Sequence, residues 1–220
     1  MAEFGYAGHI LEVDLSTGRI TKLATADYAD RFIGGRGIAA RLYWDRVPPQ
    51  VKAFDPENCL IFMTGPMAGF PRLAGARWQV CGKSPTMEPQ NFSYGNLGGS
   101  WGVWLKFAGY DGLVVTGKAD KPVYLFIHDG KIDIKDASHL WGKTAVETRE
   151  MLKAELGKQI RVLATSPAGE QLVIFANMLA DEDSTGSSGL GSVLGAKNIK
   201  AIAAVGDSKP VAAHPDRVKE

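Results

Sequence analysis

The sequence is short of the residues that usually build metal centres. It has two cysteines, Cys59 and Cys81, so it cannot supply the four thiolates of an iron–sulfur cluster. Both lie in apolar runs and read as inert buried thiols, a single disulfide being the other reading. The four histidines, His9, His128, His139 and His214, are scattered without the close spacing of a metal site. Excess charge of either sign is also missing. Lys plus Arg is 25 and Asp plus Glu is 24, a net charge of +1, so no global field gathers nucleic acid or an anionic membrane. No apolar run approaches the roughly 18–20 residues that span a bilayer. The start, Met1-Ala-Glu-Phe-Gly5, has neither the basic opening nor the apolar stretch of a signal peptide. A soluble, cytoplasmic chain without nucleic-acid or membrane partners is expected. No internal repeat or low-complexity tract is visible.

What is present is a chain of 220 residues, 45% hydrophobic and 22% charged, enough for one large domain or two small ones. Glycine is in excess: 26 residues, 11 of them in 65–117 and five in 186–206. Between Asn58 and Leu105 the only charges are Arg72, Arg77, Lys83 and Glu88. Glycine-rich, charge-poor chain makes poor solvent-facing surface and reads as backbone that a ligand or another domain approaches closely.

Patterning predicts the elements. Leu11, Val13 and Leu15 alternate with polar residues before the turn Ser16-Thr-Gly18, and the chain returns through 19–23, a hairpin. Residues 27–45 are helical with an interruption at Gly34-Gly-Arg-Gly37, and Pro48-Pro49 forces a loop. Strands are expected at 58–63, 77–81 and 111–115, with a helix at 101–107. A second hairpin turns at Asp129-Gly130. Thr144-Ala-Val-Glu147 has capping-box spacing and opens a helix to about Leu156. Strands at 160–164 and 172–176 come next, then a short helix and a strand at 199–205. The sum is an α+β fold of two mainly antiparallel sheets with a few short helices. His214-Pro-Asp-Arg-Val-Lys-Glu220 reads as an opening helix, so 1–208 is expected to be one domain and 209–220 a linker with the cut start of a following helical domain.

Two glycine motifs invite a ligand. Gly189-Leu-Gly191-Ser-Val-Leu-Gly195 resembles a dinucleotide fingerprint but comes after an Asp/Ser/Gly loop instead of a strand, so a nest of N–H groups facing an anion is the better reading. The second is Asn96-Leu-Gly98-Gly99, with Arg77 an isolated cation in an apolar setting. A buried arginine needs an acid, Glu88 is the nearest in sequence, and a phosphate is the alternative.

The ordered stretches Gly8-His-Ile-Leu-Glu-Val-Asp-Leu-Ser-Thr-Gly18, Phe32-Ile-Gly-Gly-Arg-Gly37, Thr64-Gly-Pro66, Gly98-Gly99, Leu105-Lys-Phe-Ala-Gly-Tyr-Asp111, Asp136-Ala-Ser-His-Leu-Trp-Gly-Lys143, Pro167-Ala-Gly-Glu170 and Gly195-Ala-Lys-Asn-Ile-Lys-Ala201 resemble the N-terminal domain of the aldehyde ferredoxin oxidoreductase family. The resemblance covers nearly the whole chain. It implies a base for a tungsten (or molybdenum) bis-pyranopterin cofactor, with magnesium bridging the two pterin phosphates. It places Arg77 on the cofactor, Gly98 against a pterin, and the carbonyls of Asn96 and Ser184 on the magnesium. Asp183, Ser184 and Gly186 complete the cofactor-binding set that the resemblance implies. The 4Fe-4S cluster, the substrate tunnel and the path to ferredoxin belong to the C-terminal helical domains of such enzymes, or here to a separate catalytic subunit. The implied reaction is aldehyde to carboxylic acid with electrons passed to ferredoxin, and this chain alone is expected to be inactive.

One loop departs from the family pattern. Where many members carry Arg-Ala-Ala-Gly-Arg-Gly-Gly, this chain reads Asp183-Ser-Thr-Gly-Ser-Ser-Gly189, with Asp183 in place of a cation. A carboxylate beside phosphate is repelled unless it turns outward or meets the metal. The second functional reading is therefore a non-catalytic binding module that keeps the fold and takes another anionic ligand or a partner protein. In either case, apolar surface left without its neighbours should drive self-association of the isolated chain.

Overall fold

The computed structural model describes residues 4–219, and of Glu182 and Lys219 the backbone alone. Met1–Glu3 and Glu220, the outer ends of the two expected segments, lie outside the described residues. The first half runs β1 (His9–Asp14), β2 (Arg19–Ala24), α1 (Ala26–Phe32), α2 (Gly35–Arg46), β3 (Leu60–Met63), β4 (Trp78–Lys83), β5 (Phe92–Leu97), α3 (Trp101–Phe107) and β6 (Gly112–Thr116). The second runs β7 (Val123–His128), β8 (Lys131–Asp136), α4 (Ala145–Leu156), β9 (Arg161–Thr165), α5 (Pro167–Glu170), β10 (Met178–Ala180), β11 (Thr185–Gly186), α6 (Leu190–Ala196) and β12 (Ile199–Ala204). A final helix, α7 (Pro215–Lys219), comes after an extended segment.

Each half forms one six-stranded sheet, ordered β2-β1-β6-β3-β4-β5 and β8-β7-β12-β9-β10-β11. Both are mixed: β1 with β6 and β7 with β12 run parallel, and every other pairing is antiparallel. The two orders are the same, with every strand number advanced by six. Register agrees as well: Ile61 faces Val114 as Val162 faces Ala203, and Leu11 faces Leu113 as Leu125 faces Ile202. The molecule therefore contains a topological repeat that the sequence does not reveal. From 96–117 to 185–206, only Gly102/Gly191, Leu105/Leu194 and Gly117/Gly206 are identical pairs.

The sheets face each other across a core that takes Val13, Phe62, Trp78 and Val115 from one and Leu125, Leu163, Met178 and Ile202 from the other. Helices α3 and α6 enter this core; Trp101 of α3 donates from Nε1 to Ile202 O in the opposite sheet at 2.9 Å. On the outer faces, α2 covers the first sheet through Ile38 and Leu42, and α4 covers the second through Leu152. Alternation explains the division: Trp78 and Val80 face the centre, whereas Cys81 faces α2. Both hairpins, the interruption before α2 and the capping box of α4 form as the patterning requires, the last with Thr144 and Glu147 bonding reciprocally.

Two expectations are corrected. Residues 172–176 are not a strand. Leu172 takes a left-handed φ of 58° just after α5, Ile174 and Phe175 turn to solvent, and pairing with β9 begins only at Met178. Conversely, 92–97, to which the patterning assigns no element, form β5, paired with β4 from Lys83–Phe92 to Trp78–Leu97.

Candidate functional site

Strands β5 and β11 end their respective sheets, and glycine lets these ends touch. A Cβ on Gly95 would lie 3.0 Å from Ser187 N and 3.2 Å from Gly186 Cα, tighter than nearly all side chains adopt. At one end of this seam the structure gathers the expected residues. Arg77, just ahead of β4, donates from Nη1 to Asn96 O at 3.3 Å. Gly98 N–H donates to Ser184 Oγ at 2.6 Å, tying one half of the chain to the other. Trp78 Nε1 donates to Gly98 O at 3.0 Å, which fixes the backbone just past β5. A Cβ at Gly98 would meet nothing nearer than Ser184 Oγ at 3.7 Å and Arg77 Cζ at 3.8 Å. That face of the backbone stays open to a flat ligand.

Arg77 is exposed, not buried as its apolar setting suggests, because it stands at the mouth of the strand and not within it. Among the described residues it forms no ion pair with a carboxylate, Glu88 included, so its charge is available. Ser184 O already accepts from Ala180 N at 2.8 Å, which leaves its second lone pair. Asp183 turns outward: its side chain is 74% exposed and Oδ1 pairs with Arg149 of α4 at 2.8 Å. The carboxylate thus does not point uncompensated at the seam, and Arg149 brings a cation to a loop that has none of its own. Gly186 is buried in the seam against Met178 and Leu97.

Sequence reasoning missed a second cluster on the outer face of the first sheet. Gln79 of β4 donates from Nε2 to Asn96 Oδ1 at 3.0 Å. Arg36, at the start of α2, stacks over the Tyr94 ring at 4.0 Å from its centroid. Arg36 lies inside Gly34-Gly-Arg-Gly37, whose sequence signals only a helix break. Gln79 carried one available signal: a polar residue between Trp78 and Val80 on a face otherwise closed by a helix.

The nest reading of 189–195 fails. Every residue of α6 is buried, Gly191 N–H donates to Ala176 O at 3.1 Å, and Ser192 N–H donates to Gly189 O at 3.1 Å. Its glycines serve packing: a Cβ on Gly191 would lie 2.3 Å from Asn177 O. Cys59 and Cys81 are free and buried, and burial pushes their thiols up to about 11 and about 12. Among the described residues no group of three or more His, Cys, Asp or Glu side chains could hold a metal ion, and no helix is long and apolar enough to cross a membrane.

Comparison with known proteins gives the context. The family model for the aldehyde ferredoxin oxidoreductase N-terminal domain matches residues 10–206. A tungsten-containing aldehyde ferredoxin oxidoreductase of Pyrococcus abyssi is 41% identical over 209 residues, 94% of this chain and 34% of its own length. The WOR-like subunit of an aliphatic sulfonate oxidoreductase of Pyrococcus furiosus is 33% identical over 221 residues, covering 92% of this chain and 35% of that protein. Among solved structures, the active-site complex BamBC of benzoyl coenzyme A reductase, with a dienoyl-CoA bound, matches with a TM-score of 0.93 at 39% identity over 97% of this chain and 33% of that one. The chain spans about a third of the length of the relatives it matches.

Proposed function

The chain belongs to the aldehyde ferredoxin oxidoreductase family, as its N-terminal domain, and from that premise we propose that residues 1–208 form the base of a tungsten bis-pyranopterin site in a larger oxidoreductase. Residues 209–220 are its linker to the next domain. The carrying observation is the convergence of Arg77, Asn96, Gly98 and Ser184 at one end of the seam between the two sheets. Their chemistry fits a phosphate-bearing planar group: an open glycine face, a guanidinium without a carboxylate partner, and carbonyl oxygens suited to a hard cation.

In this reading Arg77 binds a phosphate, and Gly98 lets a pterin ring lie against the backbone. Asn96 O and Ser184 O face magnesium, one from each half of the chain. Asp183 contributes only through its neutralised pair with Arg149. The cofactor, with tungsten or molybdenum, would supply the two-electron chemistry that converts an aldehyde to a carboxylic acid. Further domains or a separate subunit would hold the 4Fe-4S cluster and pass electrons to ferredoxin, so the isolated chain is inactive. The sulfonate and benzoyl-CoA relatives keep the same domain beside other substrates, which supports reading it as a base and not as the source of substrate choice.

The test is metal and pterin analysis of the protein purified whole. Wild type retains tungsten and pterin, and Arg77→Ala loses about tenfold in both, the effect of one charge-assisted hydrogen bond. The cation-free Asp183–Gly189 loop favours a second reading, a module for another anionic ligand. Wild-type protein that carries no pterin from tungstate-fed cells, yet binds inorganic phosphate through Arg77, would establish that one instead.

A further inference from the structure

Gln79 is half-buried, yet it carries the one buried side-chain polar atom that lacks a hydrogen-bond partner among the described residues. Its Nε2 donates to Asn96, but its Oε1 is closed off from water and meets no hydrogen-bond donor among the described residues. Elsewhere the same sheet satisfies such groups fully: Asn58 donates to Ala53 O and Lys83 O and accepts from Lys83 N–H. An enclosed carbonyl oxygen with no donor costs stability, and an aliphatic side chain of the same length would pack there without that cost.

The surroundings point to a ligand. Asn96, the partner of the satisfied end, is the residue whose carbonyl meets Arg77 at the seam. Gly35 lies against Gln79, with its Cβ position 3.7 Å from Gln79 Cγ, and the next residue is Arg36. Neither Arg36 nor Arg77 forms an ion pair among the described residues. The amide thus lies against the residue that precedes Arg36 and bonds the residue whose carbonyl Arg77 meets, and neither cation has an anion.

Resting on the cofactor reading above, we propose that Gln79 is a positioning residue of the cofactor site. It holds the Asn96 side chain, and with it the Asn96 carbonyl. Its stranded oxygen, an acceptor, finds a donor only when the cofactor is loaded, such as an N–H of a pterin ring, while Nε2 keeps its bond to Asn96. The empty domain carries an unmet hydrogen bond that the loaded one completes.

The experiment compares wild type with Gln79→Leu, and with Gln79→Met as an unbranched second variant, each purified whole from cells grown with and without tungstate. In tungstate-starved protein either substitution raises the melting temperature by about 2–4 °C, because the stranded atom is gone. In tungstate-fed protein both lower pterin and tungsten per chain by about five- to tenfold. Variants that melt lower when starved but keep full pterin would show a purely structural glutamine and overturn the proposal. Variants that change neither quantity would overturn it too. A wild type without pterin would remove the cofactor reading itself, an outcome visible in the control before any variant is measured.

Discussion

The two halves of this molecule share strand order and register, yet they spend equivalent positions differently. Asn96 of β5 corresponds to Thr185 of β11, since Gln79 faces the first and Leu179 faces the second. By the same count Arg77 corresponds to Asn177. The first half therefore places a guanidinium and an amide where the second has an uncharged amide and a leucine. Their supports differ in kind: Asn96 rests on Gln79, whereas the Asp183–Gly189 loop is pinned by Arg149 from α4 and by the Ser184 hydroxyl. A symmetric frame thus carries asymmetric supports, a strand-to-strand amide pair on one side and a helix-borne ion pair with a hydroxyl on the other.

The sharpest contrast between the halves is a reversal of charge. Asp111 and Lys200 occupy equivalent points at the entry to β6 and β12, and both are buried. Asp111 pairs with Lys106 at 3.3 Å and also accepts from Ala7 N, Gly8 N and Thr25 Oγ1. Lys200 pairs with Glu170 and donates to Lys143 O. Lys200→Met leaves Glu170 with its other named donor, the Gly142 N–H, and without a countercharge. Lys106→Met leaves Asp111 three donors. We expect urea unfolding to show a loss of about 3–5 kcal/mol for Lys200→Met and a smaller loss for Lys106→Met. Equal losses would mean that the backbone donors around Asp111 count for little.

Next in size are the paired helix glycines, Gly102 and Gly191. A Cβ on Gly191 meets backbone, Asn177 O at 2.3 Å, while one on Gly102 meets the Trp78 side chain at 2.6 Å. Side chains yield more easily than backbone. Gly191→Ala should cost about 3 kcal/mol and Gly102→Ala nearer 1 kcal/mol by the same unfolding measurement. The reverse order would show Trp78, locked against Phe62 and Trp101, to be the more rigid neighbour.

These contrasts also show what the sequence could and could not disclose. Hairpins, capping and the broken helix before α2 rest on local chemistry, which a single sequence displays: Asp129 and Gly130 both take the positive φ that a two-residue turn demands. The repeat was invisible because register constrains which face a residue occupies and not which apolar residue fills it, so Trp101 and Leu190 are equivalent without being alike. Strand β5 was hidden by its polar Ser93, Tyr94 and Asn96, which an end strand tolerates. Arg77 and Gly98 stood out by isolation and by glycine content, whereas Gln79 offered only the weak signal of a polar residue between Trp78 and Val80, and its unpartnered oxygen shows in the structure alone.

The weakest contrast lies in the hairpins, where Asp14 and His128 are equivalent by their pairing with Val13–Val115 and Ile127–Ala204 as neighbours. Asp14 organises its own turn, accepting from Ser16 N and Thr17 Oγ1. His128 instead bridges Asp129 and Asp133 at 3.0 Å each, and hydrogen bonds to those two carboxylates raise its pKa. Because the folded value lies above the unfolded one, near 6.5, the folded chain binds the extra proton and the bridge stabilises it fully at acid pH. That contribution fades as pH rises through the folded pKa. His128→Asn should therefore flatten stability against pH above about 6.5, with a difference below about 1 kcal/mol at this solvent-reached hairpin. Asp14→Asn should leave that window unchanged. A variant of Asp14 that alters the slope there, or a His128 variant that does not, would show that the turn and not the imidazole governs it.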